Sequence, residues 1–408
     1  MPNPLETRPS ADPYPKGHAV YRDEETQGEV RRVVEAEGIT FVDVANVADT
    51  AQDGTFEHPY ATIGQAVELA GENTTIFVRE GLYREEVVLR PGQTLTSLIC
   101  YRDSISWCYS TDTLPLIAPD QVSLRHRAEN EDGEVQEYGA VVTMREDTEV
   151  SRMAVVTTAP RTVAVWAEPA PGSEDFFIGL GYNELSSSCG DALRVQLRGG
   201  VRAGKIVLWD NTLLTCSFMT GALWAAFEPG TRLHVGADGK RAVLPDDATG
   251  ITLTVNDNKL YAPFGICAAV DLLGRGNTVH FRLNTLCGDR GFCMDLGSRG
   301  NSIKLRDNTI CATSGQDSDG IYVDDFSSEK AGPASTFDIY GNSITVRSAL
   351  ACGVWLREWG ERKEHSLDFA QITERNNIHA WGDDAKTLSA CIRDFDRDRE
   401  WLRVSDAE

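Results

Sequence analysis

In the half of the chain that follows Gly204, hydrophobic residues recur at every second position in runs of four or five, separated by polar or glycine-containing stretches of unequal length. A period of two predicts short strands with one buried face, and no helical period competes with it there. One phrase recurs almost verbatim, GNTVHFRLNTLC at Gly276–Cys287 and GNSIKLRDNTIC at Gly300–Cys311. Looser copies share a strand, then Asn, a polar residue and an aliphatic residue, at Asn211, Asn258, Asn284, Asn308, Asn342 and Asn376, with spacings of 47, 26, 24, 34 and 34. Between them runs a second series of strands, GICAA from Gly265, GFCMD from Gly291, GIYVD from Gly320 and GVWLR from Gly353. Short strands joined by variable loops, without Asn-Gly hairpin signals, predict the stacked coils of a parallel β-helix. The Asn is expected at the corner between strands, where its side chain tolerates left-handed backbone. Stacked amides would also bond from coil to coil. Leu286, Ile310 and Ile344 are expected to point inward. The repeated letters therefore specify a coil and carry no chemistry.

Nearer the N-terminus, Asp53–Leu95 reads DGTFEHPYATIGQAVELAGENTTIFVREGLYREEVVLRPGQTL. Pro59, Thr62, Ile63, Ala66, Ile76, Val78, Gly81, Tyr83, Val87 and Leu89 make it resemble the opening of the pectate-lyase-like superfamily, with Glu72-Asn73-Thr74 in place of the usual Gly-Asp-Thr. The resemblance implies an all-β fold, a single-stranded right-handed parallel β-helix (a solenoid), with an N-terminal helical cap over residues 62–70. It does not imply one reaction, because the superfamily holds lyases, hydrolases, epimerases, esterases and non-catalytic surface proteins. The expected organisation is an arm with a short charged helix (Glu24–Gly38) in residues 1–45, the β-helix in 46–382, and a C-terminal cap segment in 383–408. Leu388, Ile392, Phe395 and Trp401 suggest that this last segment is helical.

Composition narrows the partners. The 408 residues are 41% hydrophobic and carry a formal net charge of −23, enough apolar material for a large core and the wrong sign for nucleic acid or an anionic membrane. The N-terminal stretch has no apolar signal region, and the longest apolar runs, such as Gly221–Phe227, are too short to span a bilayer. The location is left open; the resemblance suggests an extracellular or virion-associated protein, and the cytoplasm stays in play. Ten cysteines show no metal-ligand spacing, so zinc is not expected and buried free thiols are. Nucleophile-elbow, phosphate-loop and dinucleotide motifs do not occur.

Chemistry is sought on the second series of strands. With Ile266, Phe292, Ile321 and Val354 taken as inward, the outward ladder reads Cys267/Ala269, Cys293/Asp295, Tyr322/Asp324 and Trp355/Arg357, extended upstream by Arg194/Gln196 and Trp224/Ala226. Asp295 and Asp324 then fall on adjacent coils, about 5 Å apart by strand spacing. Carboxylates that close repel, so one tends to keep its proton, as acid–base cleavage of a glycosidic bond requires. The run GQDSDGIYVDD adds Asp317, Asp319 and Asp325, and is loosely similar to the "NTDG" and "DD" phrases of polygalacturonase-like glycosidases, with the Asn missing and the spacing compressed. Trp224, Tyr322 and Trp355 offer flat faces for sugar rings. The candidate site is thus Asp295, Asp324, Asp325 and Arg357 for catalysis, with Trp224, Tyr322, Trp355, Asp317 and Asp319 for binding a polysaccharide. No cofactor is called for, although the Asp cluster leaves Ca²⁺ open through its hard oxygens; the same cluster also reads as a solvated turn. A lyase would need a base and a cation, and His280/Lys304 with Arg282/Arg306 read instead as charge balance on a solvated face. The competing readings are a non-catalytic spike or surface β-helix and a Ca²⁺-dependent polysaccharide lyase; a homo-oligomer is left open.

Overall fold

The computed structural model describes residues 38–97, 113–123, 125–129, 135–198, 200–218, 220–227, 234–235, 241–242, 248–313, 318–327, 333–359 and 367–393. The helix expected before Gly38, Asp317, Phe395 and Trp401 lie outside them. Ten strands, from Ile39–Val42 to Thr336–Tyr340, stack in one parallel sheet, each paired with strands of the neighbouring coils. A second, nineteen-stranded sheet folds around the other two sides. One of its faces runs through Glu184–Ser187, Thr212–Thr215, Thr309–Ala312, Ser343–Arg347 and Asn377–Trp381. The other runs through Val135–Met144, Thr162–Ala167, Leu193–Leu197, Gly221–Phe227, Asp319–Asp325, Cys352–Trp359 and Lys386–Arg393. The long strands Lys259–Leu272 and Thr285–Leu296 bend from one of these faces to the other without a break. Each coil thus visits three faces and advances by one strand, winding as the right-handed parallel β-helix that crossover chirality favours.

Alternation builds the core. On the ten-stranded face Ile206/Leu208, Leu253/Val255, Val279/Phe281 and Ile303/Leu305 are in register from coil to coil and wholly buried or nearly so. The twin phrases are consecutive coils, with Val279 over Ile303 and Leu286 over Ile310. The helical cap is present as α1 (Ile63–Leu69), which buries Ile63 and Ala66. Thr62 accepts from the Gln65 amide, and the Glu85 carboxylate accepts from the Ile63 and Gly64 amides at 2.8 and 2.7 Å, so the helix start is satisfied from within the first coil.

Three expectations need correction. Ile39–Val42, placed in the arm by sequence, is already a strand of the solenoid and pairs with Thr75–Val78. At the other end, Lys386–Arg393 is not helical: it pairs in parallel with Cys352–Trp359, its alternation being that of one more coil. A second helix, α2 (Phe369–Arg375), instead interrupts the last coils and packs Ile372 inward. Of the seven described cysteines, all free, Cys267, Cys293 and Cys352 are buried as expected, but Cys189 and Cys216 are exposed. Cys287 stacks on Cys311, and burial together with that neighbour pushes its thiol up to about 11. Among the described residues no helix is long and apolar enough to cross a membrane.

The Asn column is a continuous buried ladder, Asn183–Asn211–Asn258–Asn284–Asn308–Asn342–Asn376, one coil longer than the sequence pattern indicated. Asn308 shows its wiring. Its Nδ2 donates to the Phe281 carbonyl at 3.0 Å and to Asn342 Oδ1 at 2.9 Å, while its own Oδ1 accepts the backbone amide and Nδ2 of Asn284 at 3.0 and 2.9 Å. The left-handed residue is not the Asn, as expected, but the one before it: Tyr182, Asp210, Asp257, Leu283, Asp307 and Gly341 have φ of 58, 52, 57, 57, 55 and 71°. The turn is made one residue early so that the amide can enter the interior. Replacing Asn308 by Leu keeps the volume and orphans polar groups on both neighbouring coils. At about 1–3 kcal/mol per unsatisfied buried group, the expected loss is roughly 2–4 kcal/mol, read as a lower denaturant midpoint. Asn376→Leu, at the partly buried end of the ladder, should lose less.

Candidate active site

The third face carries two outward columns. The first runs Trp166–Arg194–Trp224–Ala269–Cys293–Tyr322–Trp355, and the second Gln196–Ala226–Asp271–Asp295–Asp324–Arg357, each step being one strand pairing. The sequence-based pairing of Asp295 with Asp324 and of Tyr322 with Trp355 is therefore present in register. The GICAA coil is displaced by two residues from the Gly alignment. Cys267, expected outward, is fully buried in the core, Ile266 is half-buried, and Ala268 is the residue that stacks on Phe292. A register shift between Ala262 and Ile266, where the long strand bends between faces, inserts two extra residues. Its consequence is a third carboxylate in the column, Asp271, which the Gly-aligned repeats concealed.

The three carboxylates differ in surroundings. Asp324 is almost fully buried; it is ion-paired to the Arg357 guanidinium and accepts from Trp359 Nε1 at 2.6 Å. Asp271 is half-buried and accepts from Trp224 Nε1 at 2.8 Å. Asp295, also half-buried, lies between them. Arg357 sits over the rings of Tyr322 and Trp359 at 5.4 and 5.6 Å, and its charge is reinforced by Asp324 and Asp295 against the burial that opposes it. Tyr322 meets Trp355 edge-on at 5.4 Å and is itself buried, which pushes its hydroxyl well up. Trp224 and Trp355 are thus the half-buried aromatics of the column, Trp224 with the Arg194 guanidinium over its ring at 5.1 Å, and Tyr322 is buried against Trp355.

The remaining candidates separate. Asp325 is on the opposite side of its strand, in the inward column of Leu296 and Glu358, and accepts from the Ser327 amide and hydroxyl at 3.0 and 2.6 Å. Asp319 is buried at the start of the strand, in register with Cys352. His280, Lys304, Arg282 and Arg306 lie on the ten-stranded face, where Arg306 pairs with Asp338 and Arg282 approaches Asp307 at 3.8 Å, which is charge balance away from the acidic column. Among the described residues no group of three or more His, Cys, Asp or Glu is arranged to hold a metal ion.

A further constellation lies upstream on the same face. The hairpin strands His126–Glu129 and Val135–Met144 pair antiparallel, an exception to the stacking, and bring His126 flat against Trp166 at 4.6 Å. His126 Nε2 is 3.0 Å from Thr143 Oγ1 and its Nδ1 is 3.6 Å from Glu168, which also takes Trp166 Nε1 at 2.9 Å and Arg198 Nε at 2.7 Å. Arg194 is inserted between Trp166 and Trp224 at 5.6 and 5.1 Å and pairs with buried Asp191 at 3.0 Å. Burial alone would raise the Glu168 carboxyl, but His126, Arg198 and Trp166 together hold it below the usual glutamate range. Glu168 was missed in the sequence, although it follows Trp166 at the same two-residue offset as Asp324 follows Tyr322.

No protein-family model matches the chain, and no curated protein matches it either. Among solved structures, it is similar to a GH136 lacto-N-biosidase from Eubacterium ramulus, at 11% identity and a TM-score of 0.36, over 90% of this chain and 70% of that one. It is also similar to the pectin methylesterase PemA from Erwinia chrysanthemi, at 10% identity and 0.28, over 74% and 92%. A family 28 exopolygalacturonase from Yersinia enterocolitica follows at 10% and 0.25, over 79% and 72%.

Because the folded pKa of Glu168 is depressed, its ion pairs contribute stability that is present above the ordinary glutamate pKa and is lost as pH falls through the folded value. Glu168→Gln is expected to lower the unfolding midpoint at neutral pH and to flatten the acid limb of the midpoint-versus-pH curve between about pH 5 and 3, measured by thermal or urea unfolding.

Proposed function

We propose that the protein cleaves a glycosidic bond of a polysaccharide laid along the third face, with Asp295 and Asp271 as the reacting pair. The observation that carries this reading is the register: two half-buried carboxylates on adjacent coils, between half-buried Trp224 on one side and Trp355 on the other. Trp224 binds Asp271 through its indole N–H and so couples the sugar platform to the carboxylate. The Asp324–Arg357–Trp359 contact acts as a fixed counter-charge beside Asp295, so Asp324 has a positioning role. Asp325 faces inward and has no part in the reading.

Neutral or weakly charged glycans suit this groove better than polyuronates. A uronate would face three carboxylates, and Arg357 already engages Asp324. Strand spacing sets the backbones of Asp271 and Asp295 about 4.8 Å apart. Carboxyls held near that spacing would match the roughly 5–5.5 Å of retaining glycosidases, where one acid protonates the leaving oxygen and the other attacks the anomeric carbon.

The test is a panel of polysaccharides assayed for new reducing ends and for the ultraviolet absorbance of unsaturated uronates. New reducing ends without that absorbance are expected, with retention of anomeric configuration by proton NMR. Asp295→Asn and Asp271→Asn should each lower turnover by about 10²–10⁴-fold, the usual contribution of a positioned acid or base. Unsaturated products would overturn the hydrolytic reading in favour of elimination, and binding without turnover would favour a non-catalytic β-helix.

A further inference from the structure

The third face is not uniform along its length. Upstream of Trp224 the outward columns are covered: Trp166 and Gln196 are 0% exposed and Arg194 only 6%. The cover is the hairpin. His126 stacks on Trp166, Tyr138 packs on the same ring at 5.8 Å, and Arg198 reaches across to donate to the Arg127 carbonyl at 2.7 Å. From Trp224 onward the columns open, with Trp224, Asp271, Asp295, Trp355 and Arg357 all half-buried. The transition falls between one coil and the next, because Arg194 and Trp224 are register partners.

We infer that the hairpin makes a wall across the groove and that the protein works from the end of a glycan chain, releasing a mono- or disaccharide. This rests on the polysaccharide-cleaving reading of the Asp271–Asp295 pair. The wall stands at the Arg194–Gln196 coil, the next coil carries Trp224 and Ala226, and the one after carries Asp271. Two coil spacings, roughly 10 Å, therefore separate the wall from the first carboxylate, and a pyranose is about as long as one spacing. One or two sugar units fill that length, and a longer chain meets the hairpin.

The composition of the short segment fits a chain terminus. Trp224 supplies a flat face, and Ala226 is the smallest side chain of the acidic column, leaving its floor low. At the back of the segment Gln196 is 0% exposed and its Oε1 accepts from Arg194 Nε at 3.2 Å, so the open part of the groove ends there.

The probe is a ladder of oligosaccharides labelled at the reducing end with 2-aminobenzamide, prepared from each polymer of the panel and digested by the full-length protein. Release of mono- or disaccharide from the first time points, with the ladder shortening by that unit, is the expected result. Intermediate lengths appearing at the outset would overturn end-on action while leaving glycosidic cleavage standing. Failure to cut or bind any polymer would overturn both. The wall is tested separately with His126→Ala and Arg198→Ala, each checked for an intact unfolding transition. Both should raise the share of internal cuts severalfold, and an unchanged product pattern in folded variants would remove the hairpin from the proposal.

Discussion

Each amide of the Asn ladder bonds to the coil before it and the coil after it, so neighbouring coils are held at a single separation and in a single register. A shorter network through Asn277 and Asn301 adds the same directional demand at another corner, whereas the hydrophobic columns attract without specifying alignment. A parallel β-helix with loops of very unequal length needs such a device, because a slip of one residue would turn every inward side chain outward. The ladder sits at the corner where the chain leaves the ten-stranded face, and it returns each coil to the same phase after loops that differ widely between repeats.

That fixed phase is what makes the acidic column. The backbones of successive coils are held in register, so three Asp residues occupy consecutive rungs of one outward column on a protein that is already strongly negative. The repulsion is offset locally. Trp224 and Trp359 donate indole N–H groups to the outer two, and Arg357 closes the column with a cation. The three carboxylates thus sit in different surroundings, with Asp324 almost fully buried and Asp271 and Asp295 half-buried.

The same face is treated differently upstream. There the outward columns are aromatic and cationic, and a hairpin is folded back onto them through His126, so Trp166 and Arg194 are part of a minor core and not of an open surface. The covering strand, His126–Glu129, pairs antiparallel with the start of Val135–Met144 and stands outside the parallel stack that the rest of that strand joins.

The sequence by itself determined the solenoid, because a period of two, a recurring Asn and a recurring aliphatic are local statements that each coil repeats. It also identified Asp295 and Asp324 as neighbours, since both follow their Gly by the same offset. It grouped Asp325 with them because the residues are adjacent, but alternation turns Asp325 the other way, into the column of Leu296 and Glu358. Asp271 was hidden by two extra residues at a bend, which move the register of the strand while keeping its alternation. Glu168 and the wall were hidden for another reason: His126, Tyr138, Glu168 and Arg198 come from separate segments and meet only through the antiparallel fold-back. Repetition writes itself into sequence because every coil must satisfy the same neighbours. Register shifts and fold-backs occur once, and only the tertiary structure shows what they bring together.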